Sequence, residues 1–133
     1  QARACAVPVI VVERKSHLFG EQAGVRILDD PESLSSCNKI ICTASTLIND
    51  TVDDMLGYCK HAGQVAMIGP SASFFPDPLF QRGVTVVGGS HVINADEFIA
   101  SQARGHGLRD CTRRYSLLPA SYPGTQHLIR SLG

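Results

Sequence analysis

Apolar positions along this chain gather into short blocks separated by polar turns. Residues 7–12 read Val-Pro-Val-Ile-Val-Val, with no polar position among them. A short β-branched run of this kind predicts a strand buried on both faces, as in a parallel sheet. Pro8 belongs at the beginning of that strand, because proline cannot donate to a central ladder. Lys39-Ile40-Ile41-Cys42-Thr43 predicts a second strand and residues 64–68 a third. Residues 84–87 predict a fourth, ended by Gly88-Gly89, and residues 114–118 a last short one. Between the strands the period changes. Val52, Met55, Leu56 and Cys59 share one face of a helix opening at Thr51, where Thr51 and Asp54 make a capping pattern. Asn94 and Glu97 repeat that pattern ahead of a helix to Arg104, with Phe98, Ile99 and Ala103 on one face. Asp30 and Pro31 open a short helix, and residues 78–81 a helical turn. Residues 1–6 read as the end of a helix. Residues 18–38 are otherwise irregular, and residues 119–133 form a polar tail with no readable period.

Alternating strands and helices predict an α/β fold, a Rossmann-like three-layer domain with a mainly parallel sheet covered by helices on both faces. Right-handed crossovers place every strand's C-terminal end on one edge, where such folds bind ligands. The domain is expected over residues 1–118, with residues 119–133 as a tail. The chain opens on Gln1, and we expect a fragment lacking its first strand–helix unit. A sheet edge exposed in that way predicts a homo-oligomer, or contact with the missing N-terminal part.

Composition narrows the function classes. A hydrophobic share of 44% over 133 residues supports a core, and twelve basic residues balance twelve acidic ones. Zero net charge supplies no long-range attraction to nucleic acid or to a membrane. Arg109, Arg113 and Arg114 read as a solvated surface. No apolar run approaches the ~20 residues of a membrane span. Five cysteines, an odd number without close pairs, argue for reduced thiols in a cytoplasmic protein and against a disulfide framework or zinc ribbon.

Three strand-end loops carry the candidate chemistry. Glu13 follows the first strand, where dinucleotide folds hold a ribose; a charge marking the strand's exit into water explains it as well. Thr43, Ser45, Thr46 and Asn49 crowd between a strand and a helix start, where free N–H groups favour an anion. Capping needs only one of them. Gly69 lets the backbone bend directly after the third strand, Pro70 stiffens the bend and Ser71 offers a hydroxyl. A nucleophile elbow needs Gly-x-Ser-x-Gly, which is absent, so Ser71 reads as a ligand contact. The nicotinamide fingerprint Gly-x-Gly-x-x-Gly is absent too. The five histidines are scattered; His91 and His106 fall near loop ends from which they could meet Cys42, so His91 and Cys42 are the candidate metal ligands.

At these loops the sequence resembles the heavy-metal chelation family of prokaryotic Rossmann-like domains, whose function is unknown. The matching segments are residues 9–14, 43–51, 68–71 and 80–92, in the family's order, within a resemblance spanning residues 7–105. The resemblance implies a preceding strand, helix and N-terminal domain. It also implies a cleft lined by Glu13, Thr43, Asn49, Gly69, Pro70, Ser71 and Gly89. Ala44 and Asp50 stand where members often carry glycine, and Asn94 where aspartate is common. The function expected is a cytosolic domain that binds a small anionic or metal-chelating ligand at the strand ends. One alternative is an enzyme domain using NAD or S-adenosylmethionine, with Glu13 on a ribose; another is a heavy-metal-binding protein. Whether a reaction follows binding is left open.

Overall fold

The computed structural model describes residues 7–132; the helix end expected over residues 1–6 lies outside them. Among the described residues seven strands, β1 (Val9–Val12), β2 (Gly20–Gln22), β3 (Val25–Leu28), β4 (Lys39–Thr43), β5 (Gln64–Ile68), β6 (Val86–Val92) and β7 (Thr112–Leu117), form two sheets. Their orders are β1-β3-β2 and β4-β5-β6-β7. Pairing is parallel for β1–β3, β4–β5 and β5–β6, and antiparallel for β2–β3 and β6–β7. The helices are α1 (Val52–Tyr58), α2 (Asp77–Gln81), α3 (Ala95–Arg104) and α4 (Thr125–Ser131). The α/β class and mainly parallel pairing agree with the sequence reading.

The core lies beneath one face of the larger sheet. Ile40 and Cys42 of β4, Val65 and Met67 of β5 and Val87 of β6 pack there with Leu56 of α1 and Leu79 of α2. Burial alternates strongly along β4. Ile40 is 5% exposed and Ile41 76%. The sheet expected to be covered by helices on both faces is therefore covered on one face only at β4 among the described residues. On β5, Ile68 shares the open side at 46% exposure.

Local chemistry accounts for the boundaries. Asp30 accepts the Glu32 amide and opens the 3₁₀ turn Pro31–Ser36. Asn94 accepts the Glu97 amide and starts α3, while Gly105, at φ 67°, closes it. Ile99 is nonetheless 67% exposed, so the apolar face read on α3 is not fully covered. Thr51 precedes α1 without capping it through its side chain. Its hydroxyl meets the Asn49 side chain instead, at 2.7 Å.

Three strands differ most from expectation, β2 and β3 in the stretch read as irregular and β6 in its bounds. β3 arises from a two-residue turn, with Ala23 at φ 54° and Gly24 at φ 81°. Two positive φ values suit the twist of a tight hairpin, but Ala-Gly announces it less clearly than Asn-Gly. β6 begins later and runs through Gly88-Gly89 to Val92. Thr85 reinforces the pairing just before its start: its amide donates to the Val65 carbonyl (2.8 Å), and its hydroxyl accepts the Val65 amide (3.0 Å) and also donates to the Val65 carbonyl (3.1 Å).

The polar tail is tied down. The Asp77 carboxylate at the start of α2 accepts the Thr125 amide at 3.1 Å and the Tyr122 hydroxyl at 2.9 Å. It also accepts the Thr125 hydroxyl. Those bonds, the Thr125 hydroxyl foremost, hold Asp77 below the usual carboxylate range. Phe80 meets Tyr122 edge-on, with ring centroids 5.9 Å apart.

Candidate functional site

Parallel pairing brings the C-terminal ends of β4 and β5 side by side, with Thr43 level with Ile68. The 3₁₀ turn Ala44–Leu47 follows β4, and the 3₁₀ turn Pro70–Ala72 follows β5. These turns pack against each other. The contact is tight at the backbone. A Cβ on Gly69 would stand 3.2 Å from the Ala44 Cβ, and Ala44 is fully buried. Gly69 also holds φ 146°, ψ 168°, a conformation almost confined to glycine. The Gly69 amide donates to the Gly88 carbonyl at 3.0 Å, which fixes the second turn to β6. Ser73 adds a hydroxyl bond to the Ser90 carbonyl at 3.3 Å.

The candidate side chains divide by what they touch. Thr43 and Ser45 are exposed, with hydroxyls 3.0 Å apart, and Thr43 accepts the Ser45 amide. Ser71 is half-buried and Pro70 exposed, one turn away. Thr46 is 8% exposed and turned inward. Its hydroxyl donates to the Thr43 carbonyl at 2.9 Å and approaches the Met67 sulfur at 3.8 Å. Asn49 is exposed, and its amide nitrogen faces the carbonyls of Thr46 (3.0 Å) and Ser45 (3.2 Å). Thr46 and Asn49 thus brace the loop and Thr43 caps its turn, while Thr43 and Ser45 stay exposed and Ser71 half-buried.

Glu13 follows the smaller sheet. Its carboxylate accepts the amides of Arg14 (2.8 Å) and Lys15 (3.2 Å), closing its own turn. None of its hydrogen bonds reaches the other two loops. Gly89 lies mid-strand under an aromatic ring. A Cβ there would be 2.6 Å from the Tyr115 hydroxyl oxygen and 2.7 Å from its Cζ. Sequence reasoning missed Tyr115; the signal was a glycine pair inside a strand, which leaves room for a bulky cross-strand neighbour.

His91 and Cys42 do not meet. Cys42 is level with Met67, and Met67 with Val87. His91 lies four residues farther along β6, about 13 Å at the rise of a strand, and two strands across. It packs beside Tyr115, with ring centroids 6.1 Å apart. Cys42 adjoins Cys59, and burial, reinforced by that neighbour, pushes its thiol up to about 12. Among the described residues no three His, Cys, Asp or Glu side chains converge as a metal-binding group.

Residues 2–118 match DUF364, a family described as "Putative heavy-metal chelation". The chain belongs to this family. DUF364 also supplies two solved structures with the same fold, both of proteins of unknown function. One, from Pyrococcus horikoshii, superposes with a TM-score of 0.68 at 24% identity, covering 84% of this chain and 46% of that one. The other, from Desulfitobacterium hafniense, has a TM-score of 0.66 at 18% identity, covering 84% of this chain and 52% of that one. At those identities the likeness speaks for the fold alone. An uncharacterized protein of Methanocaldococcus jannaschii is 26% identical over 102 residues, which cover 68% of this chain and 39% of that protein. The chain thus spans about half the length, or less, of these relatives.

Proposed function

We propose that the chain binds a small anionic or metal-chelating ligand at the C-terminal edge of β4 and β5. The observation that carries this reading is the backbone contact of Gly69 on Ala44. It holds the two turns together and gathers Thr43, Ser45 and Ser71 at the ends of adjacent parallel strands. Open α/β sheets bind ligands there, and hydroxyl donors suit carboxylate or phosphate oxygens. Gly89 and Pro70 shape the surrounding backbone in this reading. A thermal-shift screen of phosphate, citrate and other small anions tests it. Ser45→Ala and Ser71→Ala should each weaken the best hit about threefold to tenfold, the range of a neutral hydrogen bond. Unchanged affinity in both variants refutes the placement.

The reading places the protein in the cytosol. Cys37, Cys42, Cys59 and Cys111 are free thiols, the form a reducing compartment maintains. No helix among the described residues is long and apolar enough to cross a membrane. The open side of β4 is, in this account, covered by the remainder of a longer protein or by a second copy of the chain.

A further inference from the structure

The last part of β6 outruns its neighbours. Thr43 is level with Ile68, and Ile68 with Gly88, where the β5–β6 pairing ends. β6 continues to Val92, paired with β7 throughout. Residues 89–92 and 112–115 therefore form a ribbon that projects past the ends of β4 and β5. The loop after β5 is tied to its base. The Gly69 amide donates to the Gly88 carbonyl at 3.0 Å, and the Ser73 hydroxyl to the Ser90 carbonyl at 3.3 Å. Ser71 lies between those two anchors. Alternate residues of a strand, and the residues opposite them, share one face. One face of β6–β7 thus runs from Val87 and Leu117 through Gly89 and Tyr115 to His91 and Arg113. Val87 belongs to the core, while His91 and Arg113 are exposed. Half-buried Tyr115 sets its hydroxyl over Gly89, where a Cβ would stand 2.6 Å from that oxygen. The His91 and Tyr115 ring centroids are 6.1 Å apart. The two ion pairs among the described residues, Arg82–Asp53 and Arg104–Glu97, do not involve Arg113.

We propose that Tyr115, His91 and Arg113 form the second half of the strand-edge site and select a small acid that carries two anionic groups. The inference rests on the ligand reading above and names its ligand class. Ser45 and Ser71 hold one anionic group, Arg113 and His91 hold the other, and Tyr115 donates to an oxygen between them. Hydroxyls are neutral, so the loops alone take a compact anion without selecting for a second charge. A guanidinium supplies that charge, and its planar fork matches two oxygens of a carboxylate or phosphate. Gly89 and His91 are two residues apart, about 7 Å along a strand, a span that a small di- or tricarboxylate or a phosphorylated carboxylic acid can bridge. A solvated surface would account for Arg113 by itself. It does not account for a glycine beneath a phenol hydroxyl at the strand ends, which keeps a donor beside the Ser71 loop.

The test is calorimetric titration of the chain with citrate, and with inorganic phosphate as the compact probe. The parent should bind citrate at least about tenfold more tightly than phosphate. Arg113→Gln should lower citrate affinity about tenfold or more, and Tyr115→Phe and His91→Gln about threefold to tenfold. Phosphate affinity should not change in these three variants, and Arg113→Lys, which keeps the charge, should recover part of the loss. Tyr115→Phe retains the ring over Gly89, and circular dichroism checks the fold of each variant. Ser45→Ala and Ser71→Ala should weaken both probes. If they do so while Arg113→Gln and Tyr115→Phe leave citrate affinity unchanged, the ribbon has no part in binding and the strand-edge reading stands. If no variant changes either affinity, both fall. Equal losses for citrate and phosphate in the ribbon variants, or a parent that binds citrate no better than phosphate, also overturn the selection.

Discussion

Gly69 shows how one residue can set the geometry of a site. Its backbone lies in a region that other residues avoid, and its missing Cβ admits Ala44. Gly69→Ala should destabilise the fold by about 1–3 kcal/mol, measured by urea denaturation, and should weaken ligand binding as the turns part. Stability equal to the parent would show that the contact is not needed. Gly89 has a different constraint, from Tyr115. Gly89→Ala should cost about 1–3 kcal/mol as overpacking, and most of that cost should vanish in a Tyr115→Ala background. Additive losses in the double-mutant cycle would contradict a direct clash. The bend at Gly69 was legible in the sequence because a glycine directly after a strand has few other uses. The clash at Gly89 was not, because Tyr115 lies 26 residues on, and only the β6–β7 register brings it near.

The strand-end loops show where sequence and structure part at the level of whole elements. β4 and β5 were legible to the residue, since apolar runs bounded by polar turns leave little freedom in their limits. The polar surplus after β4 was legible as a cluster but not in its division of labour. Thr46 and Asn49 turn toward carbonyls of their own loop, and periodicity cannot distinguish that from facing a ligand. Thr46→Val should therefore lower stability by about 1 kcal/mol while leaving folded protein able to bind. Loss of binding at unchanged stability would reverse the assignment. α4 escaped the sequence reading because its anchor is distant: Asp77 holds Tyr122 and Thr125 from α2. The folded carboxyl of Asp77 lies below its ordinary range. Its contribution is therefore complete above the unfolded carboxylate range and is lost as pH falls through the depressed folded value. Hydrogen exchange in α4 should accelerate on acidification, and Asp77→Asn should show fast exchange already at neutral pH. Equal protection in parent and variant would remove the clasp.

At the scale of the molecule, β1 and β4 each pair with one neighbour among the described residues, and Ile41 stands open beside Lys39 and Thr43. Free strand edges and open apolar faces invite pairing. If a second copy of the chain covers this face, as proposed, the dimer should protect the β4 amides from exchange more strongly than the isolated monomeric chain does. Equal protection in all forms would leave the open face without a partner. Amide chemical-shift mapping with citrate and inorganic phosphate locates the ligand site on the folded chain. The account predicts that the largest shifts fall on Ala44, Ser45, Gly69, Ser71 and Gly89 and saturate together. Shifts that instead centre on the turn after Glu13 or on α4, or that never saturate, would contradict it.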